Sequence, residues 1–257
     1  MLGFLQKIRY SPYMELDVVA SEKVAAYKPD KAKLDVIRDV PLMFMVGITS
    51  AGKNAVLHRL LEKYPDNYYF IVSHTTRAPR ENHGVMEQDG KEYHFIDLQA
   101  MKSLLDNHDL IEAQVIHSAW ISGTSIAEVQ KAQANGKIPV SDIDIQGAEA
   151  YVGFGLNAKP IFILPPSYDV WMERLMTRYE GKPHKHDLFL RMQAAVGEIE
   201  RAMTLDDFYI VINDNLDHTV DLAHKIAQGE PVEPHYHKAM DIAEQLLVRI
   251  RAELEKM

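Results

Sequence analysis

Cysteine is absent from the 257 residues. That excludes disulfides and thiolate metal centres, and it suits a reducing compartment. No apolar run approaches the ~20 residues a membrane helix needs. A basic excess is missing too. The formal charge is −9, the wrong sign for a chain that coats nucleic acid. Near the N-terminus Leu2, Phe4 and Leu5 are soon interrupted by Gln6, Lys7 and Arg9, so no leader core is predicted. Internal repeats and long low-complexity tracts are lacking. These absences lead us to expect a cytoplasmic globular chain without nucleic-acid or membrane partners. Its hydrophobic content of 47% is ordinary, and its length suits one large domain with appended arms.

The most informative stretch is Gly47-Ile48-Thr49-Ser50-Ala51-Gly52-Lys53-Asn54. The apolar run 42–46 before it reads as a buried strand, and Ala55 to Leu61 after it has the apolar spacing of a helix. Strand, glycine loop and helix form the context of a phosphate-binding loop. Gly47 and Gly52 let the backbone curl, the helix N-terminus adds partial positive charge, and Lys53 can reach β- and γ-phosphates. Gly47, Ser50, Ala51, Gly52, Lys53, Asn54 and Ala55 are therefore the candidate contacts to a nucleotide's phosphates. A tight turn with a surface lysine is the plainer alternative; the preceding strand favours the phosphate loop.

From Pro41 onward strands and helices alternate, which predicts α/β architecture with a parallel sheet. Before it, 15–27 and 31–38 are helix candidates broken by Lys28-Pro29-Asp30. The strand 68–73 runs into Ser73-His74-Thr75-Thr76-Arg77-Ala78-Pro79-Arg80, where two arginines three apart suit a phosphate. Strands are predicted over 92–96 and 110–116, and a helix over 98–107. Thr124 or Ser125 is expected to cap the next helix. A strand over 138–145 would carry Asp142 and Asp144 on one face. After strand 161–164, a helix over 168–179 carries Arg174 and Arg178 four apart. Residues 180–187 are polar, and a long helix with Arg191 near its start follows. Strand 208–212 ends in Asn213-Asp214, and Asn215 or Asp217 caps a helix to about 228. Residues 229–234 read as a linker, and 237–257 as a terminal amphipathic helix. His184, His186, His235 and His237 read as solvated loop residues rather than metal ligands.

Taken together, the phosphate loop, Ser73 to Arg80, Asp89-Gly90-Lys91-Glu92-Tyr93-His94-Phe95, Asp142-Ile143-Asp144-Ile145-Gln146-Gly147-Ala148, Ile161 to Ser167 and Ile212-Asn213-Asp214 resemble guanylate kinase, in the order that family shows. The resemblance covers about residues 41–228. It implies a P-loop nucleoside-monophosphate-kinase fold: a parallel five-stranded sheet flanked by helices, a small GMP-binding subdomain at about 74–125 and a lid at about 178–190. An arm of unassigned role (1–40) and a linker with C-terminal helix (229–257) flank it, and these terminal segments are candidates for homodimer contact. The implied reaction is ATP and GMP giving ADP and GDP with Mg²⁺. By the same resemblance Ser73, Glu112 and Asp144 read guanine, and Arg77, Arg80, Tyr93 and Thr124 complete the GMP site. Lys53, Arg174, Arg178 and Arg191 are the catalytic set, Asn213 belongs to the adenine side, and Asn54 and Asp142 are the Mg²⁺ candidates. Taken singly, Glu112 could be an exposed strand residue, Arg174 a solvated charge and Tyr93 a core aromatic.

Three departures from the family pattern stand out. Asn54 occupies a position normally held by a hydroxyl residue. The segment 118–124 carries Trp120 and no tyrosine. The loop between Arg80 and Gly90 is about four residues longer than usual. They leave open a nucleotide- or protein-binding module without turnover, which would need no lid arginines. A kinase for a phosphorylated sugar is disfavoured by Ser73, Glu112 and Asp144.

Overall fold

The computed structural model describes residues 18–257 apart from 83, 117 and 180–183. The chain forms two compact units, each assembled from separate stretches: 18–30 with Val72–Ser125, and Lys31–Ile71 with Ile126–Met257. The smaller unit begins with α1 (Val18–Ala25). The larger begins with α2 (Lys31–Asp35), β1 (Leu42–Val46), α3 (Lys53–Lys63) and β2 (Tyr68–Phe70). The smaller resumes with β3 (His74–Thr75), β4 (Glu81–Asn82), β5 (Val85–Met86), β6 (His94–Phe95), α4 (Leu98–Asp106), β7 (Leu110–Ile116) and β8 (Trp120–Ser125). The larger closes with α5 (Ile126–Ala134), β9 (Ile138–Asp142), α6 (Ile145–Gly153), β10 (Ala158–Leu164) and α7 (Tyr168–Arg178), then α8 (Lys185–Met203), β11 (Tyr209–Ile212), α9 (Leu216–Gln228) and α10 (Glu233–Leu254).

In the larger unit five parallel strands are ordered β11-β10-β1-β9-β2. All five residues of β1 and the last five of β10 are buried, the apolar signature of strands covered on both faces. Helix α3 buries Val56, Leu57 and Leu60. Register places Met45 beside Asp142 and Val46 beside Phe162, so the loop after β1 lies at the carboxyl ends of β9 and β10. That is where open parallel sheets bind ligands. Helix α9 is capped at both ends. Asn215 accepts from the His218 N–H at 3.0 Å, and Lys159 Nζ donates to the Ile226 and Ala227 carbonyls at 3.2 and 3.0 Å. The lysine charge sits at the negative end of the helix dipole. Helix α10 packs on α8 and β11, burying Ala239, Ala243, Leu246, Leu247 and Ile250.

In the smaller unit four strands are ordered β6-β3-β8-β7, and β4 and β5 form a separate ribbon inside the long loop after Arg80. Ala20 and Val24 of α1 share a core with Met101 and Leu105 of α4, Leu110 of β7 and Ile121 of β8.

Several local expectations are corrected. Residues 120–125 form a strand that the sequence did not reveal, and it runs directly into α5 at Ile126, the expected helix start. Ile121, Gly123, Thr124 and Ser125 are buried, and a Cβ on Gly123 would lie 2.7 Å from the Glu112 carbonyl oxygen. Strand β9 stops at Asp142, and Asp144 is the N-cap of α6, a helix the sequence reading missed. Its carboxylate accepts from the Gly147 N–H at 2.6 Å, so Asp142 and Asp144 do not share a strand face. Helix α10 starts at Glu233, inside the expected linker, with proline in its first turn, where the missing N–H costs nothing. His186, His235 and His237 are helical rather than in loops, and His184 is the N-cap residue of α8. Positions 15–17 and 180–183 lie outside the described residues. Among those described, no helix is long and apolar enough to cross a membrane.

Candidate active site

The loop after β1 is built by close approach. Gly47 has φ 138°, and a Cβ there would lie 2.4 Å from the Ile163 carbonyl oxygen. Gly52 has φ 101°, and a Cβ would lie 2.2 Å from Asn213 Nδ2. Both values are ones only glycine adopts cheaply. Ser50 is also left-handed at φ 64°. Its hydroxyl is buried and finds no hydrogen-bond partner among the described residues.

Two side chains of α7 and one from the loop after β11 hold this loop by its carbonyls. Trp171 Nε1 donates to Thr49 O at 2.8 Å, Arg174 Nη1 to Ala51 O at 3.1 Å, and Asn213 Nδ2 to Ala51 O at 3.0 Å. Arg174 Nη2 also donates to Asn213 O at 3.0 Å. From α8, Arg191 Nη1 reaches Thr49 Oγ1 at 3.3 Å, and its guanidinium lies 5.3 Å from the centre of the Tyr179 ring. Lys53 folds over the loop, donating to Gly47 O and, at 3.4 Å, to Ile48 O. Burial pushes its ammonium below the usual lysine range, against the pull of Glu198 and Asp142; Arg178 pushes the same way as burial. Burial raises the Glu198 carboxyl, Lys53 opposes the shift and Asp144 adds to it. Positive charge is thus concentrated where an α-helix presents its N-terminus. Asn54 and Ala55, in the first turn of α3, are exposed, as are Asp142 and Arg178.

In the smaller unit the hydroxyls of Ser73 and Thr124 are 3.1 Å apart. The Thr124 N–H donates to Glu112 Oε1 at 3.1 Å across the β7–β8 pair. Arg77 is held by Glu87, with Nη1–Oε2 at 2.7 Å and Nη2–Oε1 at 3.1 Å, and its guanidinium lies over Tyr93 and Phe95. Glu87 also accepts from the Arg80 N–H at 2.8 Å. The Arg77 guanidinium holds the Glu87 carboxyl below the usual carboxylate range. The Arg80 guanidinium stacks 4.6 Å from the centre of the Trp120 ring.

The structure therefore gathers Gly47, Ser50, Ala51, Gly52, Lys53, Arg174, Arg191 and Asn213 into one cluster. It gathers Ser73, Glu112 and Thr124 into a second, with Arg77, Arg80 and Tyr93 joined through Glu87 and ring stacking. Asp144 belongs to the larger unit. Arg178 is tied to Lys53 by charge alone. Sequence reasoning missed Glu87, Trp120, Trp171 and Glu198. An acidic residue in a loop beside two arginines was a faint sign of the first. A tryptophan on a helical apolar stripe reads as core, and only three dimensions reveal the loop carbonyl at its nitrogen. Among the described residues no group of three or more His, Cys, Asp or Glu could hold a metal ion.

Residues 40–228 match the family described as Guanylate kinase. The chain is 32% identical over 208 residues to the guanylate kinase of Methylobacillus flagellatus, covering 80% of this chain and 98% of that one. It is 36% identical over 172 residues to the guanylate kinase of Sus scrofa, covering 66% and 83%. The match to guanylate kinase 1 of Arabidopsis thaliana, 34% identical over 172 residues, covers 66% of this chain and spans only 43% of that longer protein. Among solved structures, guanylate kinase from Anaplasma phagocytophilum superposes with a TM-score of 0.52 at 26% identity, covering 75% of this chain and 87% of the other.

Proposed function

The chain belongs to the guanylate kinase family, and on that premise we propose that it transfers the γ-phosphoryl group of ATP to GMP, giving ADP and GDP. The observation that carries this reading is a phosphate loop clamped by Trp171, Arg174 and Asn213 in a chain that also links Ser73, Thr124 and Glu112 by hydrogen bonds and ties Arg77 and Arg80 together through Glu87. Phosphoryl transfer asks the protein for positioning and charge rather than a covalent group.

In this reading the loop and Lys53 take the ATP phosphates, with the Ser50 hydroxyl, which has no partner among the described residues, as a further donor. Arg174, Arg178 and Arg191 neutralise the transferring group. Glu112 and Asp144 accept from the guanine N1–H and N2–H₂, which adenine does not offer on that edge, and Ser73 and Thr124 line the same base. Capping of α6 engages one Asp144 oxygen, leaving the other as acceptor. Arg77, Arg80 and Tyr93 hold the GMP phosphate. The oxygen donors present fit Mg²⁺ held chiefly by nucleotide, since this ion usually takes only one or two protein oxygens beside phosphates and water. Asn54 and Asp142 would supply them, and the ion would neutralise charge on the β- and γ-phosphates. A lid at about 178–190, a cytoplasmic setting and homodimer contact through the terminal segments belong to the same proposal. The non-catalytic alternative is not favoured: Arg174 and Arg191 are both built onto the loop.

The test is ADP release against a panel of monophosphates. GMP should turn over, with AMP, CMP and UMP far behind. Calorimetric binding of GMP without turnover would overturn the kinase reading in favour of a binding module, and turnover of a sugar phosphate alone would redirect the acceptor.

A further inference from the structure

Helix α1 and Tyr27 precede the segment that matches the family, which begins at residue 40. They nevertheless form part of the smaller unit, and their bonds converge on one point of β7. The Tyr27 hydroxyl donates to the Leu110 carbonyl at 2.6 Å and accepts from the Leu110 N–H at 3.1 Å. One phenol thus satisfies both backbone groups of one residue. Leu110 is where the pairing of β7 with β8 slips: Leu110 opposes Ser125, Glu112 opposes Thr124, and the register shifts between them. A shift of this kind takes backbone groups out of the ladder and re-aims the side chains that follow. The next paired residue is Glu112. Because strand side chains alternate faces, the bulge decides which way Glu112 points.

The rest of the segment grips the turn before β7. His108 Nδ1 lies 2.8 Å from the Lys28 carbonyl, and its ring stacks with Tyr27 at 5.8 Å between centres. His108 itself is left-handed at φ 54°. Lys23 pairs with Asp106 at the end of α4, and Ala20 and Val24 bury against Leu110 and Ile121. Burial pushes the Tyr27 phenol up to about 12, so it remains a protonated donor at working pH.

We infer that Tyr27, just after α1, is a positioning residue that pins the β7 bulge and thereby aims Glu112 at the guanine edge. The inference rests on the GMP reading above. It gives the segment before the family-matched region a part in base selection, although Tyr27 contacts no substrate.

Tyr27→Phe keeps the ring and its packing but removes both bonds to Leu110. Leaving a buried amide and carbonyl unsatisfied should raise KM and calorimetric Kd for GMP about tenfold, with KM for ATP within about twofold. It should also narrow the preference for GMP over AMP. Val24→Ala is the comparison: it removes buried methyls from the same core while leaving both Tyr27–Leu110 bonds in place, so it should lower Tm while leaving the GMP-to-AMP ratio near the native value. Unchanged GMP affinity in Tyr27→Phe would overturn the inference, as would equal losses for GMP and ATP or the same loss of selectivity in Val24→Ala. If the native chain binds GMP without turnover, the kinase reading falls and the GMP Kd values still judge Tyr27. If it binds no GMP, both fall.

Discussion

The two clusters are held in different ways. Around the phosphate loop, the fixing groups come from the buried core: Trp171 is fully buried and Asn213 nearly so, and the side-chain N–H of each donates to a loop carbonyl. Around Arg77 and Arg80, the strands are only two residues long. There the fixing groups are a carboxylate, three rings and a ribbon whose Val85 and Met86 are exposed. The first is preorganised by packing and the second by a few polar contacts near solvent. A loop that must cradle a polyphosphate with backbone groups tolerates no slack. A site that takes an incoming monophosphate can be held by side chains that rearrange. Substitutions in the first region should therefore cost fold or rate, and those in the second should mainly cost affinity for one substrate.

The largest effect is expected at Lys53. Its ammonium is already desolvated and rests on loop carbonyls, so on binding ATP it trades those for phosphate oxygens at little extra cost. Lys53→Ala should lower kcat about a thousandfold by removing charge stabilisation in a low-dielectric site, while GMP Kd stays within about twofold. Calorimetry showing GMP affinity lost together with turnover would erase the distinction between the regions. Gly47→Ala should come next, as loss of the fold itself. The added Cβ meets backbone at 2.4 Å at a φ of 138°, and forcing it in should cost about 3 kcal/mol or more. A Tm within a few degrees of native would show the loop to be far softer than its packing implies.

The same contrast governs what was legible beforehand. The larger unit was readable because its signals are local: continuous apolar strands, glycines at loop positions, a lysine at a helix start, Asn215 before α9. A parallel sheet follows from that alternation, and its five strands from the family resemblance. The smaller unit is built from short strands whose pairing is non-local, and β8 was missed because Gly123-Thr124-Ser125 reads only as the approach to α5 when Glu112 across the ladder is unseen. Asp144 was placed on a strand for a related reason. An acidic residue before an apolar run fits both a strand end and an N-cap, and only the Gly147 N–H decides. The partners of the arginines, Glu87 and Trp120, lie in two of the stretches that depart from the family pattern, so the resemblance gave no hint of them.

Glu87→Gln should have an intermediate effect and a pH signature. The bidentate pair with Arg77 has side chains only 9% and 10% exposed, and hydrogen bonds to charged groups contribute about 1.5–3 kcal/mol. If Glu87 orients Arg77, KM for GMP should rise about tenfold in Glu87→Gln. A fall in KM would mean instead that Glu87 competes with the phosphate for the same fork. Because the folded carboxyl titrates below its unfolded value, the stability it contributes is present above about pH 4.3. That stability is lost as pH falls through the lower folded value. Melting curves from pH 6 to pH 3 should show the native chain losing more Tm than Glu87→Gln; parallel curves would remove the linkage.

The smallest expected effect is at Trp120, and it probes the second region most finely. Arg80 offers its backbone N–H to Glu87, while its side chain is oriented by the Trp120 ring, 4.6 Å from guanidinium to centroid. Arg80 is exposed and Trp120 half-buried, so the stacking contributes about 0.5–1 kcal/mol, the range for exposed cation–π pairs. Stacking through the ring face leaves the edge of the guanidinium, with its N–H groups, free to meet a phosphate. Trp120→Ala should therefore raise KM for GMP about three- to fivefold with kcat and KM for ATP unchanged, since about 0.7 kcal/mol corresponds to a factor near three. Trp120→Phe keeps an aromatic face, though a weaker one than tryptophan's, and should recover most of the loss. If Phe fails as badly as Ala, the indole N–H matters more than the ring, and Trp120 orients something other than Arg80. If both variants match the native chain, Arg80 needs no orienting, and the second region is looser still than its short strands suggest.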